Sequence, residues 1–364
     1  MSVYDREAWP SIAPVWRELA AASPNCSFFL TEAWVGTWLE VYGPQLDPAI
    51  LIFENGRQAV GACLLVRSRR KRLLLPVERI SLNAAGEPAA ESTYIEFNDV
   101  LCLEGWETRV AEGVVDHVRR QGWDEFALDG FCESPSYEAI RSAFQDLDRE
   151  EEWRPCYYVD LEAIRRSGTA YEAALSRTTR WQLRRKTKQY AEMGEIRTEA
   201  ATDLAGALAM LDELAELNRE RWSTREEQGA FESPRFIAFH RSLIRKCFSE
   251  GAVQMLRVTA GQPTIGLIYN LVHRGKVYFY QCGFRYTGDK RISPGTVTLW
   301  QAIQWCLNAG FDDYDFLAGE ERYKQCLSTG SRRLAWTVFR KPSLKLRALD
   351  WLRQINRGLR SARS

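Results

Sequence analysis

Two stretches lying 205 positions apart follow one template, and this constrains the fold more than any other feature of the chain. Leu51 to Gly61, LIFENGRQAVG, aligns without a gap on Leu256 to Gly266, LRVTAGQPTIG. Leu51 and Phe53 alternate as strand residues, as do Leu256 and Val258, and Gly56 and Gly61 recur as Gly261 and Gly266. Each stretch reads as a β-hairpin turning at Asn55-Gly56 or Ala260-Gly261. A second matched pair follows in the same order, GWDEFALDG at Gly122 to Gly130 and GFDDYDFLAG at Gly310 to Gly319. In each, an amphipathic helical segment (about 107–120 and about 296–308) ends at a glycine and feeds a short buried strand. Unrelated hairpins share turns by chance, but two blocks in one order point to a hairpin, strand, helix, strand unit used twice.

The length fits that reading, since 364 residues exceed the roughly 250–300 at which a single core stops growing. The expected class is α/β (α+β), with two mixed, twisted sheets carrying helices on both faces. The expected domains are 1–165, 166–341 and a basic amphipathic helix at 342–364. A helix pair, 171–193 and 203–221, opens the second unit. Lysines and arginines number 49 against 48 acids, a net charge of +1, so the whole chain is not a generic polyanion binder and charged partners must be sought in local clusters. Nine cysteines without a CxxC pair, beside only three histidines, argue against a zinc centre or a disulfide scaffold and for a reducing, cytoplasmic setting. No run reaches the roughly 18 apolar residues of a membrane helix, and the N-terminus lacks the basic and apolar regions of a signal peptide.

Chemistry concentrates in the second half. The strand around Tyr278-Phe-Tyr-Gln281 breaks into a loop, Arg291-Ile-Ser-Pro-Gly-Thr296, that enters a helix. Backbone N–H groups at such a helix start, with the macrodipole behind them, make a cradle for a pyrophosphate. Gly295 permits close approach, Ser293 and Thr296 cap or donate, and Arg291 or Lys290 pairs with a phosphate. The same residues also read as an ordinary capped helix start. The equivalent place in the first half, Leu103-Glu-Gly-Trp-Glu, offers acids where a phosphate needs donors. Asp315, inside an otherwise apolar strand, is a candidate base or substrate anchor, or a residue of a solvated sheet edge. Glu320, Glu321 and Lys324 crowd the same mouth and offer a grip on a polar acceptor. Arg221 and Trp222, followed by Gln228-Gly-Ala-Phe231, form an acceptor wall or, equally, core packing. His240, between Phe236 and Phe239, reads as structural. A basic helix holds Arg177, Arg180, Arg184, Arg185, Lys186 and Lys188, whose plainest meaning is a solvated face. The tail from Arg340 to Arg363 carries eight Lys/Arg against one Asp among regularly spaced leucines. It is suited either to docking on its own domain or to an anionic membrane surface.

The order of elements resembles the GCN5-related N-acetyltransferase (GNAT) fold, doubled as in FemAB-like proteins. Arg221-Trp222, Gly229 to Phe231, the ISPGT loop and YDFLAGEERYK resemble the acetyltransferases associated with bacterial cellulose and exopolysaccharide synthesis. The resemblance covers most of the chain from Phe28 to Lys341, although the loop departs from the superfamily's [QR]xxGx[GA] spacing. It implies an acyl-CoA co-substrate, acetyl-CoA first, whose pyrophosphate lies on Arg291, Ile292, Ser293, Gly295 and Thr296, with no metal. It also implies Tyr323 as the group that protonates the departing thiolate. The activity it implies is acyl transfer to an amine or hydroxyl acceptor, a small molecule or glycan precursor, gripped by Arg221, Trp222, Phe231, Gln281 and Lys324, with Asp315 beside Tyr323 in catalysis. Two alternatives stand: a FemAB-like transferase fed by aminoacyl-tRNA, the one reading with a nucleic-acid partner, and a non-catalytic scaffold of polysaccharide assembly.

Overall fold

The computed structural model describes residues 1–72, 75–222, 229–286 and 292–342, the side chains of Arg72 and Trp222 excepted. The described chain divides into two compact units, Met1–Trp153 with 334–342, and Arg154–Arg333.

The first unit contains β1 (Ser2–Tyr4), α1 (Trp9–Ala22), α2 (Glu32–Val41), β2 (Asp47–Asn55), β3 (Gln58–Arg72), β4 (Leu75–Leu82), β5 (Leu101–Cys102), α3 (Glu107–Arg119), β6 (Glu125–Phe131) and α4 (Pro135–Ala143). Strand β7 (Asp148–Asp160) begins in it and ends in the second unit. The second contains α5 (Leu161–Ser167), α6 (Arg177–Ala191), β8 (Ile196–Ala200), α7 (Leu204–Trp222), α8 (Pro234–Cys247), β9 (Val253–Ala260), β10 (Thr264–His273), β11 (Lys276–Phe284), α9 (Pro294–Asn308), β12 (Asp313–Ala318) and α10 (Arg322–Leu327). Strand β13 (Gly330–Arg340) starts there and supplies its later residues to the first unit. The sequence reading cuts the chain at 165 and 341; the units part inside β7 and β13.

Both hairpins form as the repeat predicts, with the turn displaced in each; in the second, Ala260 still belongs to β9 and the loop is Gly261-Gln262-Pro263. In the first, Asn55 pairs with Gln58, so Gly56-Arg57 is the turn, and Gly56 takes φ +64, a left-handed conformation that costs glycine least. The first sheet runs β1-β2-β3-β4-β6-β13 with β5 beside β3. Because side chains alternate across a strand, Leu51 and Phe53 join Val110, Val114 and Val118 of α3 in one core, while Ile52 faces Ile12, Val15 and Leu19 of α1 across a groove of about 600 Å³. Glu125, wholly buried, lies 3.6 Å from both Arg79 and Arg340 and joins β4, β6 and β13 by charge.

The second sheet runs β7-β12-β11-β10-β9-β8, and its only parallel pair among the described residues is β11 with β12. On one face, Leu256, Ile268 and Phe279 pack with Leu299 and Ile303 of α9 and Leu183 of α6. On the other, α7 lies across β9, β10 and β11, and α8 packs on α7. The expected helix at 171–193 is shorter, because Tyr171–Ala174 forms a separate 3₁₀ turn and Ser176 caps α6 by accepting the N–H of Thr179. No helix among the described residues is long and apolar enough to cross a membrane, and all nine cysteines are free thiols. The tail after Pro342 lies outside the described residues.

Candidate active site

The parallel strands of the second unit diverge. They pair only from Lys276↔Asp313 to Tyr278↔Asp315. Beyond that, β11 continues to Phe284 against β10 and β12 continues to Ala318 against β7. A bulge sits on the departing half of each. In β11 the register slips between Tyr269↔Gln281 and Asn270↔Phe279, leaving Tyr280 extra. In β12 three steps from Asp315 to Ala318 face two from Tyr158 to Cys156, and Leu317 takes φ +60. Bulges bend a strand and end pairing, so the wedge between Gln281–Cys282 and Phe316–Ala318 is built into the sheet. Its facing main-chain groups form a short edge that an extended ligand can join.

At the far side of the wedge stands the N-terminus of α9. Ser293 is its N-cap residue, yet its side chain bonds no first-turn N–H; its hydroxyl pairs instead with that of Thr296 at 2.9 Å. The Lys186 ammonium donates to Thr296 Oγ1 at 3.0 Å. Lys186 thus comes from α6 to the start of α9, and partial burial lowers its pKa, with Cys326 raising and Arg185 lowering it. Ile292 packs with Tyr190, Val258 and Val297, and Lys290 and Arg291 lie outside the described residues. Gly295 also faces the protein's own interior. A Cβ there would stand 3.1 Å from the ring of Phe284, so its small size serves a close packing of α9 on β11, whatever approaches from outside.

Tyr323, in the first turn of α10, packs edge-on against Phe316 with centroids 6.3 Å apart. Burial pushes its pKa well above the usual tyrosine value; Cys282 and Glu321 push the same way, and Arg221 opposes them. The same neighbours act on Cys282, whose thiol burial raises to about 12, with Arg221 and Lys324 opposing. The structure therefore gathers Tyr323, Cys282, Glu321, Lys324 and Arg221 at the mouth of the wedge. Arg221 also lies 5.6 Å from the ring of the exposed Tyr286.

Other expected site residues have their polar atoms or rings engaged elsewhere. Asp315 is fully buried, 3.1 Å from Lys276 and 3.6 Å from Arg332, and accepts the Leu317 N–H at 2.8 Å. It is neither solvated nor open to a substrate proton; it pins the point where the strands part. Lys324 is buried, and its ammonium meets the carbonyls of Ala318 at 2.7 Å and Leu317 at 3.4 Å and the carboxylate of Glu321 at 3.1 Å. Three donors are so used. Phe231 is buried edge-on against Phe236, a core contact rather than an exposed wall. Gln281 is half-buried on β11. The Trp222 side chain and residues 223–228 lie outside the described residues. His240 is buried between the hydroxyls of Tyr269 at 3.3 Å and Tyr280 at 3.5 Å, and burial lowers its pKa to about 3, so it is neutral.

Lys186 is the residue that sequence reasoning misplaced, grouping it with a solvated flank. A signal existed: Thr179, Leu183, Lys186 and Tyr190 fall at successive turns of one helix face, so Lys186 is the one cation on the buried stripe.

The first unit has the same parallel divergence, and its own chain fills it. Strands β4 and β6 pair from Arg79↔Glu125 to Ser81↔Ala127. Beyond, Asn98 bridges Phe131; its N–H donates to Gly130 O, and its carbonyl accepts from Cys132 N. Its side-chain amide donates to the carbonyls of Leu82 and Asp129, and Asn83 donates to Asn98 Oδ1 and Asp99 O. Gly130 allows this fit, with φ +66 and a virtual Cβ 2.4 Å from Ile95 O. Gly130→Ala is expected to cost about 1–3 kcal/mol or more, read as a lowered denaturant midpoint; an unchanged midpoint would show that the plug is loose.

Residues 177–325 match the family model for the acetyltransferase (GNAT) domain. The match opens on α6 and ends within α10, so it spans the wedge, the α9 start and Tyr323. No curated protein matches the sequence. Among solved structures, the crystal structure of FemX is 9% identical with a TM-score of 0.56, covering 89% of this chain and 95% of that one. A C-terminal domain ascribed to a lysylphosphatidylglycerol synthetase of Agrobacterium fabrum is 11% identical, with a TM-score of 0.55 and 92% of each chain covered. A conserved protein of unknown function from Bacteroides thetaiotaomicron is 8% identical, with a TM-score of 0.53, covering 92% of this chain and 97% of that one. At such identities the likeness concerns the fold alone. The fold is mixed α/β, two units each built on a mixed sheet with helices on both faces, and the acetyltransferase-domain match lies in the second.

Proposed function

We propose that the second unit is an acyltransferase that holds acyl-CoA, with acetyl as the first donor to try, in the wedge between β11 and β12. The observation that carries this reading is the junction of three features in one place: diverging parallel strands, the α9 N-terminus with Lys186 beside it, and a protonated Tyr323 at the mouth. The pyrophosphate would lie on the first turn of α9, where backbone N–H groups, the helix dipole and the Lys186 ammonium all favour an anion. The pantetheine arm, an extended amide chain, would pair with the exposed edges of β11 and β12.

In this reading an amine or hydroxyl acceptor enters past Arg221, Tyr286 and Glu321. Its attack on the thioester carbonyl forms the new C–N or C–O bond and expels the CoA thiolate. Tyr323, whose buried hydroxyl keeps its proton, donates that proton to the thiolate. The acceptor's own proton leaves to solvent through the mouth, and solvent returns a proton to the Tyr323 phenolate, so that the turnover balances. Asp315 and Lys324 serve as structure, fixing the two sides of the divergence. With its own wedge filled by Asn98, the first unit contributes no second acyl-CoA site.

Isothermal titration with acetyl-CoA and with CoA tests the site. Micromolar binding is expected for the wild type, and Lys186→Ala is expected to weaken it about tenfold, the loss of one charge-assisted hydrogen bond of about 1.5 kcal/mol. Equal affinity in the variant would remove Lys186 from the site, and no binding to the folded wild type would end the acyl-CoA reading. Gly295→Val is a poorer probe, because it also strikes Phe284.

A further inference from the structure

The outer face of α6 carries exposed cations around an exposed tryptophan. Arg177, Trp181, Arg184 and Lys188 recur at successive turns with Arg185 beside them, and all five are exposed. Trp181 is 59% exposed, with the Arg185 guanidinium 5.5 Å from its ring centre. Among the described residues Arg177, Arg184, Arg185 and Lys188 form no ion pair, and α6 contains no acidic residue. The opposite stripe, Thr179, Leu183, Lys186 and Tyr190, is the one turned inward; α6 packs on α9. The exposed stripe is therefore a convex ridge of four cations around one indole, roughly 16 Å long at 1.5 Å per residue. A tryptophan kept in water costs hydrophobic free energy, and four unpaired cations on one face repel each other. Both are relieved by an anionic partner with an apolar layer beneath its charge.

We propose that this ridge docks the protein on an anionic lipid surface, with Trp181 at headgroup level and Arg177, Arg184, Arg185 and Lys188 on lipid phosphates. Tryptophan favours the membrane–water interface, and basic residues are drawn to anionic leaflets. A convex ridge meets a plane along its whole length. Strand-binding surfaces for nucleic acid are instead charged grooves with several stacking aromatics, whereas α6 offers one tryptophan on a ridge. This inference does not rest on the transfer chemistry, and Lys186, on the inner stripe, has no part in it.

The test is flotation of the full chain with vesicles of phosphatidylcholine alone and of phosphatidylcholine with phosphatidylglycerol. Binding only to the anionic vesicles, weakened by added salt, is expected. The combined Arg184→Ala, Arg185→Ala and Lys188→Ala variant should bind about a hundredfold more weakly. Trp181→Ala alone should lose about tenfold, with the wild-type circular dichroism retained by both. Absence of binding to anionic vesicles, or binding that neither variant weakens, would overturn the proposal. So would a chain that shifts a structured RNA in a gel and leaves vesicles untouched. Acetyl-CoA titration reads the other site separately, so failure of either reading is visible without the other.

Discussion

Tyr323→Phe is expected to lower turnover about a hundredfold or more while leaving CoA affinity within about twofold. The first part follows from losing a positioned proton donor, which is worth at least that factor. The second follows from geometry: the phenyl ring keeps its edge-on contact with Phe316, and the lost hydroxyl lies at the mouth rather than at the α9 start. Steady-state turnover beside calorimetric CoA binding separates the two effects. Turnover retained within about twofold would remove Tyr323 from the chemistry. The pH profile adds a signed check. A proton donor works only while protonated, and burial raises the Tyr323 pKa above the ordinary value of about 10. Tyr323 should therefore cause no alkaline fall in rate below about pH 10, and any fall there should persist in Tyr323→Phe at its lower level.

Asp315→Ala is expected to act on stability. Its carboxylate has no solvent exposure, and Lys276 and Arg332 approach it from within 4 Å. Removing one member of a buried charged cluster leaves the others without compensation and costs about 3–5 kcal/mol. In a unit of this size that corresponds to a fall in melting temperature of about 10 °C, measurable by calorimetry. Part of the loss is offset by the partial exposure of Arg332 and by its second partner, Asp313, at 2.5 Å. A variant that melts with the wild type but has lost turnover would reverse the assignment and return Asp315 to the chemistry.

These two residues show where sequence reasoning carries and where it stops. Asp315 stands out because it lies inside a short apolar strand, which is local; Tyr323 stands out only through the resemblance to the GNAT fold. Tyr323 fits the proposed proton donor because its neighbours bury it without giving it a cation strong enough to ionise it. Asp315 is held in a charged cluster because Lys276 arrives from the neighbouring strand and Arg332 from β13, seventeen residues later in the chain. The same holds at Lys324, whose charge the sequence shows and whose three partners it does not.

The hairpin repeat and the two-unit plan were legible because each depends on periodicity and glycine spacing within a few residues. Gly56 had to turn left-handed whatever surrounded it, whereas the start of α6 at Ser176 was not legible, because the periodicity runs on back to Tyr171. Everything that depends on which strand ends beside which was decided by the tertiary structure alone. A divergence between β11 and β12 is a statement about register, and the Asn98 plug in the first unit is a contact across a folded loop; neither has a local signature. Lys186 lies between the two cases. Its helical phase placed it on the inward stripe, and only the packing of α6 on α9 gave that stripe a helix N-terminus to meet.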